Sequence, residues 1–167
     1  MSEYNANRVA KALHPGVQHL VISEMQDHGE NARSYILKAA PDSDTKTLAY
    51  FRAGQYLSIK LHIGESVLSR PYSIRSAPAE ALEGSYTITI KRTDDGFASN
   101  FIFDNWRVGT VIEASAPLGE FVYEPIRDAA HIVGLAGGSG ITPFYSLARA
   151  IADGTEDATL TILYGSR

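Results

Sequence analysis

The chain has 167 residues, 44% of them hydrophobic and 20% charged, which is enough apolar material for one good core with an appendage. A formal net charge of -4 argues against nucleic-acid binding by clustered cations, and the absence of cysteine excludes disulfides, thiol nucleophiles and cysteine-ligated iron–sulfur or zinc centres within this stretch. Any redox chemistry here needs a bound organic cofactor. Met1 to Lys11 is polar and mixed in charge, without the apolar core of a signal peptide, and no apolar run is long enough to span a bilayer, so the sequence reads as cytoplasmic. His14, His19, His28, His62 and His131 are scattered without metal-ligand spacing, and no metal site is expected.

From Val17 to about Tyr123 the dominant signal is a period of two. It is loose around Val21, from Tyr35 to Leu37 and from Ala49 to Phe51. It is clearest where Leu57, Ile59, Leu61 and Ile63 alternate with Ser58, Lys60 and His62. Tyr86, Ile88 and Ile90 repeat it against Thr87, Thr89 and Lys91, and Val111 to Ala114 adds a last short segment. Some six strands follow. The turns Pro41-Asp42-Ser43-Asp44, Gly64-Glu65, Glu83-Gly84-Ser85 and Asp94-Asp95-Gly96 suit antiparallel connections, and closure into a barrel removes the open edges. One helix is expected inside this region, capped by Ser99 and running from Asn100 to Trp106, with Gly109 as its stop. After Pro125 the period changes: His131 to Leu135 reads as a buried strand, Ile141 to Ile151 as a helix and Thr159 to Tyr164 as a second strand, one βαβ unit. The composition shift from Glu124 to Asp128 marks a boundary between residues 1–126 and 127–167.

Three clusters carry chemistry. In Ser69-Arg70-Pro71-Tyr72-Ser73, strand alternation puts Arg70 and Tyr72 on one face, so a guanidinium can meet a phosphate while a phenol ring packs on a flat heteroaromatic system; Ser73 adds a hydrogen bond. Taken alone, a strand with a surface arginine explains it as well. Gly96-Phe97-Ala98-Ser99 lies at a helix N-terminus, where free amides and the dipole favour an anion such as a pyrophosphate, although an ordinary turn and N-cap looks the same. Gly134-Leu135-Ala136-Gly137-Gly138-Ser139-Gly140-Ile141-Thr142-Pro143 follows a strand and opens a helix. Its four glycines in seven residues expose backbone amides to a dinucleotide, with Pro143 where the common fingerprint has its last glycine.

With these clusters in this order, the sequence resembles the ferredoxin-NADP reductase family, flavoproteins with an FAD barrel followed by a nucleotide-binding domain. Gly54-Gln55-Tyr56 is similar to the segment leading into the family's flavin strand, and Arg70-Pro71-Tyr72-Ser73 to its Arg-x-Tyr-Ser motif. The resemblance implies that Arg70 holds the flavin phosphates, Tyr72 lies against the isoalloxazine and Ser73 bonds near N5. It places Pro71, Ile90, Lys91, Gly96, Ala98 and Ser99 with the flavin, and Gly137, Gly138, Ser139, Gly140 and Thr142 with the nicotinamide nucleotide. Tyr72, Ser73 and Thr142 would flank hydride transfer. The implied architecture is mainly β: a six-stranded antiparallel flavin-binding barrel with one short helix, then the start of an α/β nucleotide-binding domain. The implied cofactor is FAD, with FMN the lesser alternative, and the donor is NAD(P)H. The acceptor would be a ferredoxin-like protein or a small molecule.

The family pattern continues beyond Tyr164-Gly165-Ser166-Arg167 with further strands. The expectations are therefore a truncated nucleotide domain, inefficient NAD(P)H turnover, and self-association through an exposed strand at residues 159–163. Ser166 and Arg167 would sit where a 2′-phosphate is recognised, if Arg167 is not simply an exposed terminal residue. Two competing readings are a non-autonomous flavin-binding electron-transfer module of a larger complex, and a β-barrel binding domain without flavin.

Overall fold

The computed structural model describes residues 16–166; the polar segment Met1 to Lys11, His14 and Arg167 lie outside the described residues. Six strands, β1 (Gln18–Asp27), β2 (Ala32–Ala39), β3 (Tyr56–Ile63), β4 (Ser66–Ser73), β5 (Tyr86–Lys91) and β6 (Val111–Ala114), form one antiparallel sheet in the order β4-β3-β6-β1-β2-β5. Its two edges approach one another. Ile74, just past β4, bridges Ile88 of β5; the Arg75 amide donates to the Thr87 carbonyl at 2.7 Å, and the Thr87 amide to Ser76 Oγ at 3.0 Å. The sheet therefore curls into a nearly closed barrel, which leaves few strand groups unpaired.

The alternation read from the sequence is what fills this barrel. Leu57, Ile59, Tyr86 and Ile88 are fully buried, joined by Leu20, Ile22, Tyr35 and Leu37. The segment from Ala49 to Phe51 is not a strand, although Ala49 and Phe51 are buried as alternation predicts. Side chains supply its hydrogen bonds: Gln18 Oε1 accepts the Ala49 amide at 3.0 Å, and the Tyr86 hydroxyl donates to the Ala49 carbonyl. The sixth strand is β4 instead.

The structure also holds a helix the alternation gave no hint of, α1 (Pro78–Leu82), started by Pro78 and by Glu80, whose carboxylate accepts the Ala77 amide at 2.9 Å. The second helix, α2 (Phe97–Asn105), begins three residues before the expected start, with Gly96 rather than Ser99 at its N-cap.

Beyond Pro125 the chain forms β7 (His131–Gly137), a 3₁₀ turn at Gly138–Gly140, α3 (Ile141–Ala152) and β8 (Thr159–Gly165), with β7 and β8 parallel. The small core of this unit is shared with the preceding part of the chain, since Leu147 and Ala150 meet Ala53 and Tyr123. It leans on the barrel through α3. Ser146 Oγ donates to the Ser76 carbonyl at 2.7 Å, Arg149 pairs with Glu80 at 2.9 Å, and the rings of Phe121 and Phe144 meet edge-on at 5.2 Å.

Candidate functional site

The β3–β4 hairpin sets the direction of the Arg70–Ser73 side chains. Arg70 lies opposite Ile59 and Tyr72 opposite Leu57, so both project to the side of the hairpin on which Leu57 and Ile59 are buried. Tyr72 packs half-buried against the core, and burial pushes its phenol up to about 12, a shift that the Arg70 guanidinium opposes. Among the described residues the hydroxyls of Tyr72 and Ser73 have no hydrogen-bond partner, and exposed Arg70 reaches only the carbonyl of Ser69, at 2.9 Å. Pro71 is exposed between them. The Arg70 guanidinium thus has no side-chain partner, and the hydroxyls of Tyr72 and Ser73, on neighbouring residues of the same strand, are bonded to nothing among the described residues.

At the far end of β5, Ile90 is buried in the barrel core, so only its backbone is within reach of a ligand. Lys91 has no carboxylate partner among the described residues and lines two open clefts. One, of 770 Å³, also takes in Asn31, Arg92, Thr93, Asp94 and Asn100; the other, of 530 Å³, takes in Gly138, Gly165 and Ser166. Lys91 therefore joins the loop ahead of α2 to the glycine turn.

At the start of α2 the side chains have structural duties of their own. A Cβ on Gly96 would lie 2.2 Å from Thr93 Oγ1 and 2.3 Å from Ser99 Oγ, so a side chain there would force both hydroxyls to turn away. Ser99 Oγ lies 3.1 Å from Thr93 Oγ1, and Ala98 packs into the core, which leaves the amides of the first turn as the groups an anion would meet. In the second loop, Gly137, Gly138, Ser139 and Gly140 run over the 3₁₀ turn, with Gly138 at φ 51°. Thr142 Oγ1 donates to the Ser139 carbonyl at 2.8 Å, and no side chain caps α3. Gly134, inside β7, serves packing: a Cβ there would lie 2.6 Å from the Phe144 ring.

Sequence reasoning missed the cleft in which Thr142 sits. Its volume is 210 Å³, and His28, Arg75, Thr89, Ile141 and Tyr145 share its walls. The one available signal was Arg75, a second cation two residues beyond Ser73 and so on the same face of an extended chain.

The sequence profile of the oxidoreductase FAD-binding domain matches residues 17–123, which include the whole barrel and every candidate flavin residue. The chain belongs to the oxidoreductase FAD-binding domain family. Over 157 residues it is 34% identical to the ferredoxin reductase component of 3-ketosteroid-9-alpha-monooxygenase from Mycobacterium tuberculosis, covering 90% of this chain and 42% of that protein. It is 32% identical over 126 residues to the glycine betaine monooxygenase reductase subunit of Chromohalobacter salexigens, covering 75% of this chain and 33% of that one. The chain thus spans well under half the length of these relatives. Phthalate dioxygenase reductase, described as a modular structure for electron transfer from pyridine nucleotides to 2Fe-2S, superposes with a TM-score of 0.77 at 28% identity, over 91% of this chain and 44% of that one. The FAD/NAD-binding domain of nitric oxide dioxygenase from Vibrio cholerae gives 0.75 at 25% identity, over 90% and 62%. These likenesses agree with a mainly β, six-stranded flavin fold followed by a small parallel β-α-β start.

Proposed function

We propose that the chain is the FAD-carrying portion of an NAD(P)H-dependent oxidoreductase that moves electrons between a nicotinamide nucleotide and a ferredoxin-like protein or other acceptor. The observation that carries this reading is the unsatisfied set on β4: Arg70, Tyr72 and Ser73 offer charge, ring and hydroxyl to something other than the protein. The set fits a flavin. Arg70 holds the phosphates by charge-assisted bonds, the Tyr72 ring presents a flat face to the isoalloxazine, and Ser73 offers a hydrogen bond to its reactive edge. Lys91 and the first amides of α2 add positive potential for the pyrophosphate, with Gly96, Ala98 and Ser99 contributing backbone. Pro71 and Ile90 contribute shape and backbone only.

When bound, the flavin supplies two-electron chemistry with the nicotinamide and one-electron chemistry with the acceptor. The protein's task is placement. The turn at Gly137, Gly138, Ser139 and Gly140 offers amides to the dinucleotide, and Thr142 sits at its head. In this reading residues 1–126 are the flavin domain and residues 127–167 begin the NAD(P)-binding domain.

The absorption spectrum of the purified chain titrated with FAD tests the proposal. Resolved visible bands of a bound, oxidised flavin are expected. A spectrum identical to free FAD at every concentration would contradict it. The two parallel strands present little surface to a dinucleotide, so slow NAD(P)H oxidation by this chain alone is expected in a stopped-flow assay. Leu163 and Tyr164 on β8 are more than half exposed, which supports pairing of residues 159–163 with a second copy; a monomeric mass by sedimentation equilibrium would contradict that pairing.

A further inference from the structure

Two residues beyond Ser73 the chain makes a contact that the flavin reading does not use. The Arg75 guanidinium has no carboxylate partner among the described residues. It lies over the Tyr145 ring, 4.2 Å from the centroid, while its Nη1 donates to Ser34 Oγ at 3.4 Å. Ser34 is fully buried on β2 and held from two other sides, by Thr89 Oγ1 at 2.7 Å and His28 Nε2 at 2.8 Å. Tyr145 stands three residues beyond Thr142 on α3, hence on the same side of that helix. Arg75, Tyr145 and Thr142 all line the 210 Å³ cleft. The next residue repeats the grip, since the Ser76 carbonyl accepts the Ser146 hydroxyl at 2.7 Å. Two consecutive residues after the β4 motif therefore hold two consecutive residues of α3.

We propose that Arg75 is a positioning residue that latches the first turns of α3 to the barrel and so sets where Thr142 stands relative to Ser73. The contact needs a planar cation. Guanidinium can stack on the Tyr145 ring while its edge donates to Ser34, whereas an ammonium group can do one or the other. Ser73 ends β4 and Arg75 follows the buried Ile74, so the motif residue and the latch are built on the same three residues of backbone. That Ser73 and Thr142 serve a flavin and a nicotinamide rests on the function proposed above; the latch itself does not.

The test combines a spectroscopic cycle with amide exchange, using the 167-residue chain. FAD is added to four proteins: wild type, Thr142→Val, Arg75→Ala and the double variant. In the wild-type background Thr142→Val is expected to change the fluorescence yield of bound FAD at least twofold. In the Arg75→Ala background it is expected to change nothing, because Thr142 has already lost its place. Arg75→Lys should restore part of the coupling. Equal effects of Thr142→Val in both backgrounds would overturn the proposal.

If wild type takes up no FAD, the cofactor reading fails and hydrogen exchange without flavin decides the latch. Amides of residues 144–148 exchanging about tenfold faster in Arg75→Ala, with those of β1 and β2 unchanged, support it. No local change overturns it. Should Arg75→Ala fail to fold, Tyr145→Leu breaks the same contact from the other side and replaces it in both experiments.

Discussion

The barrel and the β7–α3–β8 unit are both built from strands rich in Val, Leu and Ile, yet they bury them differently. In the barrel Leu57, Ile59 and Ile88 are fully buried, whereas on β7 and β8 Val133 is 58% exposed, Leu135 74% and Leu163 60%. The barrel has one large core formed by its own strands and helices. The smaller unit is positioned by what α3 touches, through Ser146, Arg149, Phe144 and Tyr145. A cofactor platform is thus rigid by its own core, and the nucleotide turn is placed by contacts made across to it.

The largest expected effect separates the two cores directly. Ile59→Ala should destabilise the barrel by about 2–5 kcal/mol in urea unfolding followed by circular dichroism. Leu163→Ala should change the same curve by less than about 0.5 kcal/mol. Equal losses from both would erase the contrast. Gly134→Ala forces a Cβ against the Phe144 ring and should cost about 1–3 kcal/mol. That loss should appear as faster amide exchange in α3 while the barrel amides stay protected.

Alkaline pH probes the barrel through its buried phenols. Burial raises the phenols of Tyr72, to about 12, and of Tyr86 above the ordinary value of 10.0. The folded state keeps protons that the unfolded chain releases, so this contribution is complete below about pH 10 and is lost as pH rises through 12. Chemical denaturation midpoints should fall over that window, and Tyr72→Phe should flatten part of the fall. A single ion pair gives a small effect as well: Glu80→Gln, which removes the partner of Arg149, should cost about 0–1 kcal/mol, because both side chains are partly solvated.

The strands that alternate strongly, such as Leu57-Ile59-Leu61 and Tyr86-Ile88-Ile90, were legible because a half-buried strand shows its buried face in every second residue. Ala49 to Phe51 misleads for the same reason: the pattern reports burial, and burial there comes with hydrogen bonds to Gln18 and Tyr86 instead of to a neighbouring strand. Helix α1 is too short for a periodic signal, although Pro78 followed by Glu80 is a recognisable start. At the site, Arg70, Tyr72 and Ser73 were readable as an ordered motif. The cleft of Arg75, Thr89, Thr142 and Tyr145 was not, because its walls come from β5, α3 and the chain after β4, segments far apart in sequence that only tertiary packing brings together. Gly96 and Gly134 were legible as glycines that matter, but each answers first to a neighbouring side chain.

The central claim is that β4 presents its polar groups to FAD, and calorimetric titration of FAD into wild type and Arg70→Ala tests it most directly. Wild type should bind, and Arg70→Ala should bind about 10- to 100-fold more weakly, the loss expected when a charge-assisted bond to phosphate is removed. Equal affinity in the two proteins, or no heat of binding in either, would contradict the account.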